Sequence, residues 1–182
     1  MLGEQLASLH MVSSDYFGYQ QDNYIGALHQ SNKKHTSWLN FYIEEHLQPQ
    51  LHLAQKKKLL SPDDLPNSEK LQKVLEPYFE AVKPSLLHGD LWGGNYLIAA
   101  NGTPYLIDPA VYYGHHEVDI AMSKLFGGFS SEFYHVYHDH IPRSKGFGER
   151  IQFYQLYYLL VHLNMFGRSY YASVKRILTD FF

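Results

Sequence analysis

The 182-residue chain has 45% hydrophobic residues, a formal net charge of −3 and no cysteine. A chain of this length buries about 70% of the surface that its unfolded form exposes, which is enough for one core without cross-links. The lack of cysteine excludes disulfides and cysteine-ligated zinc, and the scattered basic residues argue against nucleic-acid binding. We expect one cytoplasmic domain over residues 1–182, because no apolar run approaches the roughly 20 residues of a membrane span and Met1–His10 lacks a basic leader.

Apolar spacing predicts helices along most of the chain. Leu2, Leu6 and Leu9 mark the first helix, and Pro49 indicates a break or a new start in a second helix that begins near residue 36 or 37. Residues 15–34 are predicted as an ordered loop. Further helices are predicted near 68–78, 117–126, 131–140, 147–165 and 169–180.

A small β core is predicted in the middle of the chain. Short apolar runs at 85–87 and 96–99 flank a polar loop, and Asn101-Gly102 is a strong hairpin signal before a further apolar run at 104–107. Such a hairpin would return its second strand to the loop and bring Asp108 near Asn95. The predicted fold class is α+β and mostly helical, with a small β hairpin core that carries this loop.

The loop reads His88-Gly89-Asp90-Leu91-Trp92-Gly93-Gly94-Asn95, and Asp108 follows after the hairpin. Protein kinases use this order of aspartate, asparagine and aspartate for a catalytic base and two Mg²⁺ ligands. Asp90 would accept the proton of the attacking hydroxyl, while Asn95 and Asp108 would hold the metal. Each residue alone fits an ordinary polar turn, so the interpretation depends on their order and on the predicted hairpin. His88 is assigned to support of the loop.

Departures from the protein-kinase pattern indicate which class of acceptor substrate the site would take. Gly89 replaces the arginine that reads a phosphorylated activation loop, which indicates a permanently assembled site. Pro109-Ala110 replaces Phe-Gly, and no Ala-Pro-Glu follows. A small-molecule acceptor therefore fits better than a peptide.

Longer stretches make the resemblance specific, namely LLHGDLWGGN, LIDPAVYYGHHEVDIAMSKLFGGF and YHDHIPRSKGFGERIQFYQLYYLLVHLNMFGRSY. Over nearly its whole length the chain resembles the fructosamine kinase (ketosamine 3-kinase) family, which is related in fold to the aminoglycoside phosphotransferases and protein kinases. The resemblance implies transfer of the ATP γ-phosphate, with Mg²⁺, to a sugar hydroxyl of a ketosamine. The substrate would be a small ketosamine or a glycated protein, and the reaction would serve deglycation repair.

The resemblance also implies roles for residues outside the motif. Asp119 would brace the catalytic loop from a helix. Contacts to the acceptor sugar would come from Trp92, Tyr112, His115, His116 and Glu117, although Tyr112 fits ordinary packing equally well.

Neither G-x-G-x-x-G nor G-x-x-x-x-G-K-[ST] occurs in the sequence. The family carries its nucleotide loop and phosphate lysine in an amino-terminal lobe, so we expect this chain to correspond to the carboxy-terminal lobe. An apolar inter-lobe face would then favour self-association. The intact Asp90, Asn95 and Asp108 favour an enzyme, whereas the missing lysine favours the alternative of a non-catalytic, pseudokinase-like binding module.

A zinc site is the other metal hypothesis, because the chain has twelve histidines. His135 and His138 can share one helix face, but His140 cannot join them, and no H-E-x-x-H is present. Magnesium bound through oxygen ligands is favoured instead.

Overall fold

The computed structural model describes residues 1–182, and helices make up most of its ordered structure. The α-helices are α1 (Leu2–His10), α2 (Trp38–Phe41), α3 (Gln48–Lys56), α4 (Ser68–Phe79), α5 (Glu117–Phe126), α6 (Ser131–His140), α7 (Phe147–Phe166) and α8 (Tyr171–Phe181). A π-helical segment covers Tyr42–Leu47, and short 3-10 turns cover Pro62–Asp64 and Arg168–Tyr170. No helix combines the length and the apolar character needed to cross a membrane.

The strands form three separate antiparallel pairs, β1 with β2, β3 with β6 and β4 with β5. Their bounds are β1 (Asn23–Ile25), β2 (Leu28–Gln30), β3 (Ser85–Leu87), β4 (Tyr96–Ile98), β5 (Pro104–Leu106) and β6 (Tyr112–Gly114). The β4–β5 hairpin turns at Gly102, in the segment where the sequence predicts a hairpin. The β1–β2 hairpin lies within the segment predicted as a loop, and β6 was also missed, because three-residue strands are too short to show a period of two.

Polar caps start several helices where the sequence places Ser or Asn. The side chains of Ser37, Asn67 and Ser130 accept hydrogen bonds from backbone N–H groups three residues later, at 3.4, 2.8 and 3.2 Å. Each cap satisfies one of the N–H groups that a helix start leaves without a partner. The bounds of the four helices predicted after the β core are also confirmed, with ends that agree to within two residues.

Pro49 is the second residue of α3, which follows the π-helical segment without a gap. Proline lacks an N–H and clashes with the carbonyl four residues earlier in a regular α-helix. The preceding π-helical segment relieves this conflict, because the N–H of Gln48 reaches back five residues to Ile43. Thus α2, the π segment and α3 run on from one another, where the sequence allowed a complete break.

Helix α7 is the centre of the hydrophobic core. It is buried on nearly all sides, and it packs against α3, α5 and α8. Its Tyr154 accepts a hydrogen bond from Trp38 Nε1 at 3.0 Å and stacks on Phe79. This packing places two further α7 tyrosines, Tyr157 and Tyr158, under the loop that carries Asp90.

Candidate active site

Asp119 holds the start of the His88–Asn95 loop. Its carboxylate accepts hydrogen bonds from the backbone N–H groups of His88 and Gly89 at 2.8 and 2.9 Å, and His10 Nε2 lies 3.1 Å from the same carboxylate. Burial by itself would raise the pKa of Asp119, but the hydrogen bonds from His10 and Gly89 outweigh it and hold that pKa below its ordinary value. An ionised, fully buried carboxylate therefore fixes the loop from α5.

Backbone contacts bring the Asp108 segment against the loop. The N–H of Ala110 donates to the carbonyl of His88 at 2.8 Å, and His88 Nε2 donates to the carbonyl of Ile107 at 2.9 Å. Gly89 has a φ of 82°, and a Cβ at this position would lie 2.1 Å from the Ala110 carbonyl oxygen. Only glycine allows this close approach.

Asp108 itself has a left-handed backbone, with a φ of 51°. Such a conformation is uncommon for a residue other than glycine and is found where the surroundings impose it, frequently at functional sites. The N–H of Ile107 donates to the carbonyl of Asn95 at 3.0 Å, so the residue before Asp108 is joined directly to the predicted metal ligand in the loop. The hairpin thus brings Asp108 and Asn95 together as the sequence predicts.

Asp90 is half-buried beside Asn95, whose Nδ2 donates to the Asp90 carbonyl oxygen at 2.9 Å and to Asp90 Oδ2 at 3.0 Å. Burial raises the pKa of Asp90 to about 6, and the charges of Asp119 and Asp108 add to this effect, although the hydrogen bond from Asn95 opposes it. A carboxyl with this pKa is ionised at neutral pH yet remains a useful proton acceptor.

The donor set fits a hard divalent cation. Asn95 uses its Nδ2 on Asp90, which leaves its Oδ1 available, and Asp108 contributes a carboxylate. Mg²⁺ prefers such oxygen ligands and commonly takes one or two from the protein and the rest from phosphate and water. The predicted zinc histidines do not converge in this way, since His135 and His140 are exposed and His138 Nδ1 donates to the carbonyl of Ile141.

A cavity of about 400 Å³ opens beside Asp90. Its walls come from the β1–β2 hairpin, the loop, α5, α7 and the turn after α7, namely Ile25, Gly26, Asp90, Trp92, Met122, Phe126, Val161, His162, Met165, Phe166 and Tyr170. We call it the Asp90 cavity. Sequence reasoning found only two of these residues, because the walls combine four separate stretches of chain whose apolar residues look like ordinary core.

His162 is the most polar wall residue besides Asp90. Its Nδ1 donates to the carbonyl of Tyr158 at 2.8 Å, and its ring stacks on Phe126 with the centroids 4.3 Å apart. Burial lowers the pKa of His162, so the ring is neutral at pH 7. With Nδ1 carrying the proton, Nε2 is a hydrogen-bond acceptor.

Of the residues predicted to contact the sugar, only Trp92 lines the Asp90 cavity. Tyr112 is fully buried against Phe41 and His46, since β6 directs it into the core. The other three lie at the start of α5 and are engaged within the protein: His115 Nδ1 lies 2.8 Å from Tyr154 Oη, His116 Nδ1 lies 3.0 Å from Tyr137 Oη, and Glu117 binds Arg150 through two hydrogen bonds of 2.7 Å.

Contacts within the protein explain why these three residues do not line the Asp90 cavity. Burial lowers the pKa of His116 to about 3. Burial also raises the pKa of Glu117, and the hydrogen bond and charge of Arg150 offset part of that rise. His115, His116 and Glu117 do present ligand atoms within 4.8 Å of one another, but Nδ1 of each histidine and both carboxylate oxygens of Glu117 are already hydrogen-bonded within the protein. The predicted contacts of these residues, and of Tyr112, with an acceptor sugar stay predictions, although their observed contacts are within the protein.

Similarity to known proteins identifies the family of this chain. The family model described as fructosamine kinase matches residues 1–182. A probable ketoamine kinase of Enterococcus faecium is 43% identical over 184 residues, which cover 99% of this chain and 66% of the relative. The ketosamine-3-kinase of Mus musculus is 40% identical over 168 residues, which cover 91% of this chain and 54% of the relative.

A crystal structure described as a putative fructosamine-3-kinase from Thermobifida fusca superposes with a TM-score of 0.86 at 34% identity, covering 98% of this chain and 62% of that one. The fold is therefore kinase-like, α+β and mostly helical. The chain belongs to the fructosamine kinase family. It spans 54–66% of the length of the two relatives described above.

Proposed function

We propose that this chain supplies the catalytic and acceptor-binding part of an ATP-dependent kinase that phosphorylates a sugar hydroxyl of a ketosamine. The observation that carries this proposal is the position of Asp90, which is hydrogen-bonded to Asn95, near Asp108 and at the wall of the Asp90 cavity. The name of the mouse relative states a ketosamine substrate, which gives the acceptor class.

In this proposal, Asp90 orients the acceptor hydroxyl and takes its proton as the oxygen attacks the γ-phosphorus, while the bond from that phosphorus to the β,γ-bridging oxygen breaks and ADP leaves. Phosphoryl transfer depends chiefly on positioning and charge stabilisation, so a rigid loop matters as much as the base itself. Asp119 supplies that rigidity through the N–H groups of His88 and Gly89. Asn95 and Asp108 would hold Mg²⁺, which neutralises the phosphate charge when it is bound.

The Asp90 cavity is the proposed acceptor site. Trp92 is 41% exposed, which leaves its indole face available to pack on the C–H groups of a sugar. His162 Nε2 can accept a hydrogen bond from a sugar hydroxyl. Because the cavity is larger than a sugar ring alone requires, part of the amine substituent would also lie inside it. Small ketosamines and glycated proteins both remain candidate substrates, with a deglycation role.

Kinases bind the nucleotide phosphates with a glycine-rich loop. The 182 residues contain no such motif. We propose that the chain corresponds to a single carboxy-terminal lobe and that ATP is held between it and a nucleotide-binding lobe. On one face, the β4–β5 hairpin presents Leu97 and Tyr105, which are paired across the two strands, with 45% and 51% of their surface exposed. This apolar face would meet that lobe, and in the isolated chain it would favour self-association. The 182-residue chain by itself should fold, bind ATP weakly and transfer phosphate negligibly.

A transferase assay tests the proposal. The polypeptide that the gene encodes in full would be incubated with ATP, Mg²⁺ and a ribulosamine or a fructosamine, and ³¹P NMR would identify a new sugar phosphate. The Asp90→Asn variant is the matched control and should give no product above background. If the wild-type protein binds the ketosamine but never phosphorylates it, the pseudokinase-like binding module is the better description.

A further inference from the structure

The β1–β2 hairpin is a wall of the Asp90 cavity that the sequence did not reveal. Ile25, at the end of β1, is buried, and Gly26 follows it in the turn; both line the cavity. Asn23 and Gln30 face one another at the opposite end of the same hairpin. We call the end at Ile25 and Gly26 the tip of the hairpin, which lines the cavity, and the end at Asn23 and Gln30 its base, which does not.

Side-chain amides of Asn23 and Gln30 attach that base to the chain just after Asp108. Asn23 Nδ2 donates to the carbonyl of Val111 at 2.7 Å, and Gln30 Nε2 donates to Asn23 Oδ1 at 2.8 Å and to the carbonyl of Ala110 at 3.3 Å. Gln30 is only 2% exposed, and its Oε1 accepts from Tyr157 Oη at 2.8 Å. Because these buried donors and acceptors are paired, moving the hairpin would leave polar groups without partners. The wall is fixed relative to the proposed metal ligand.

The tip meets α7 in a close contact. Gly26 has a φ of 56°, and a Cβ on it would lie 2.7 Å from Met165 Cε and 2.9 Å from Met165 Sδ. A side chain at residue 26 would thus have to displace the Met165 thioether. Met165 also lines the cavity, and its flexible side chain is the part of this contact that can move.

We infer that the β1–β2 hairpin sets the size of acceptor that the Asp90 cavity takes, with the Gly26–Met165 contact as the limiting element. This inference rests on the proposed acceptor function. Since the hairpin base is fixed, an acceptor that needs more room must obtain it from Met165. The site therefore discriminates among ketosamines by the bulk of the amine substituent, and Gly26 and Met165 are specificity-determining residues.

The test measures binding to the 182-residue chain, which needs no phosphoryl transfer. Calorimetry would compare two fructosamines, made from methylamine and from benzylamine, on wild type, Gly26→Ala, Met165→Ala and the double variant. Gly26→Ala should weaken the benzylamine adduct at least about tenfold more than the methylamine adduct, within the range that a pocket gains from one or two carbon atoms. Met165→Ala should shift the preference toward the benzylamine adduct, alone and in the Gly26→Ala background.

Gly102→Ala is the matched control, because Gly102 also has a positive φ, of 81°, but no atom lies within 4 Å of a Cβ there. It should leave the ratio of the two affinities unchanged. Equal losses for both ligands in Gly26→Ala, together with an unchanged ratio in Met165→Ala, would overturn the inference while leaving the acceptor site intact. Absence of binding of either fructosamine to the wild-type chain would overturn the acceptor function and the inference with it. Met165→Ala provides the decision if Gly26→Ala does not fold, as judged by circular dichroism.

Discussion

Asn95 Nδ2 donates to Asp90 Oδ2 at 3.0 Å, so the proposed metal ligand and the proposed base are bonded to each other before any substrate binds. One amide serves both halves of the site, since its nitrogen orients the base and its oxygen is left for the cation. The same hydrogen bond opposes the rise in the Asp90 pKa that burial causes. The pair therefore sets both the position and the protonation of Asp90.

Asp90→Asn should lower kcat by roughly 10²–10⁴ in the complete enzyme, because the amide cannot accept the hydroxyl proton. Ketosamine affinity should change little, since the substitution preserves shape. In the wild-type protein, kcat/KM should fall as the pH drops through about 6, where Asp90 becomes protonated. Steady-state kinetics from pH 5 to 9 measure both effects. Near-normal turnover of the variant would remove Asp90 from the base role.

The same substitution should stabilise the fold at neutral pH. The pKa of Asp90 is about 6 in the folded chain against an ordinary value of 3.8, so the folded state holds the proton more tightly than the unfolded state. The contribution of Asp90 to the unfolding free energy of the wild type is then fully present below pH 3.8, and it is lost as the pH rises through 6. At pH 8, Asp90→Asn should be about 1–2 kcal/mol more stable than wild type, after allowance for partial solvent exposure.

Denaturant titrations of wild type and variant at pH 4 and pH 8 test this point. The difference in unfolding free energy should be small at pH 4 and largest at pH 8. If the difference does not depend on pH, folding does not raise the pKa of Asp90.

Glu117 and Arg150 form a buried ion pair with 1% and 4% of their surfaces exposed. Arg150→Met should destabilise the chain by about 3–5 kcal/mol, because it leaves a buried carboxylate without its partner. Adding Glu117→Gln should recover part of that loss, since the remaining group is neutral. Thermal or urea unfolding measures the three variants, including Glu117→Gln alone. If Glu117→Gln weakens ketosamine binding and leaves stability unchanged, Glu117 is an acceptor contact after all.

Local sequence signals were sufficient for the loop, its hairpin and most helices, because each is encoded within a few neighbouring residues. The order Asp90, Asn95, Asp108 and the turn at Gly102 illustrate this: Asn95 is hydrogen-bonded to Asp90 and, across the base of the hairpin, to Ile107, the residue before Asp108. The Asp90 cavity could not be predicted in the same way. Its walls join residues as distant as Ile25 and Tyr170, and an apolar side chain in a helix has the same pattern whether it faces a cavity or the core.

Glu117 shows the converse limit. A run of His115, His116 and Glu117 after a strand suggests a polar site, yet the chain turns into α5 at this point, buries His115 and Glu117 and leaves His116 partly exposed. The partners that satisfy them, Tyr154, Tyr137 and Arg150, lie 20 or more residues away. Tertiary packing, which no local pattern contains, decides between a ligand and a core residue.

Magnesium should bind Asn95 and Asp108 tightly only when a nucleotide phosphate shares it. Two side-chain ligands are too few for a closed Mg²⁺ site, and this ion gives up its waters reluctantly. Calorimetry on the complete enzyme, first with Mg²⁺ alone and then with ATP and Mg²⁺, should show strong binding only in the second case. Asp108→Asn should remove that gain. Tight binding of the bare ion would instead indicate a site built by the protein alone.

Asp119→Asn should damage the catalytic loop more than any other single change to its support. The carboxylate accepts from His88 N, Gly89 N and His10, whereas an asparagine amide turns one acceptor into a donor that faces another donor. Leaving buried groups unsatisfied in this way should destabilise the chain by about 2–4 kcal/mol. Hydrogen exchange of the His88 and Gly89 amides should accelerate well beyond the change in global stability, because their acceptor is lost directly. Asp139→Asn, at an exposed position on α6, is the matched control and should alter neither stability nor exchange at these two amides. If the His88 and Gly89 amides in Asp119→Asn exchange at rates that global unfolding alone explains, the loop is held chiefly by its contacts with Ala110 and Ile107, and the bracing role of Asp119 is refuted.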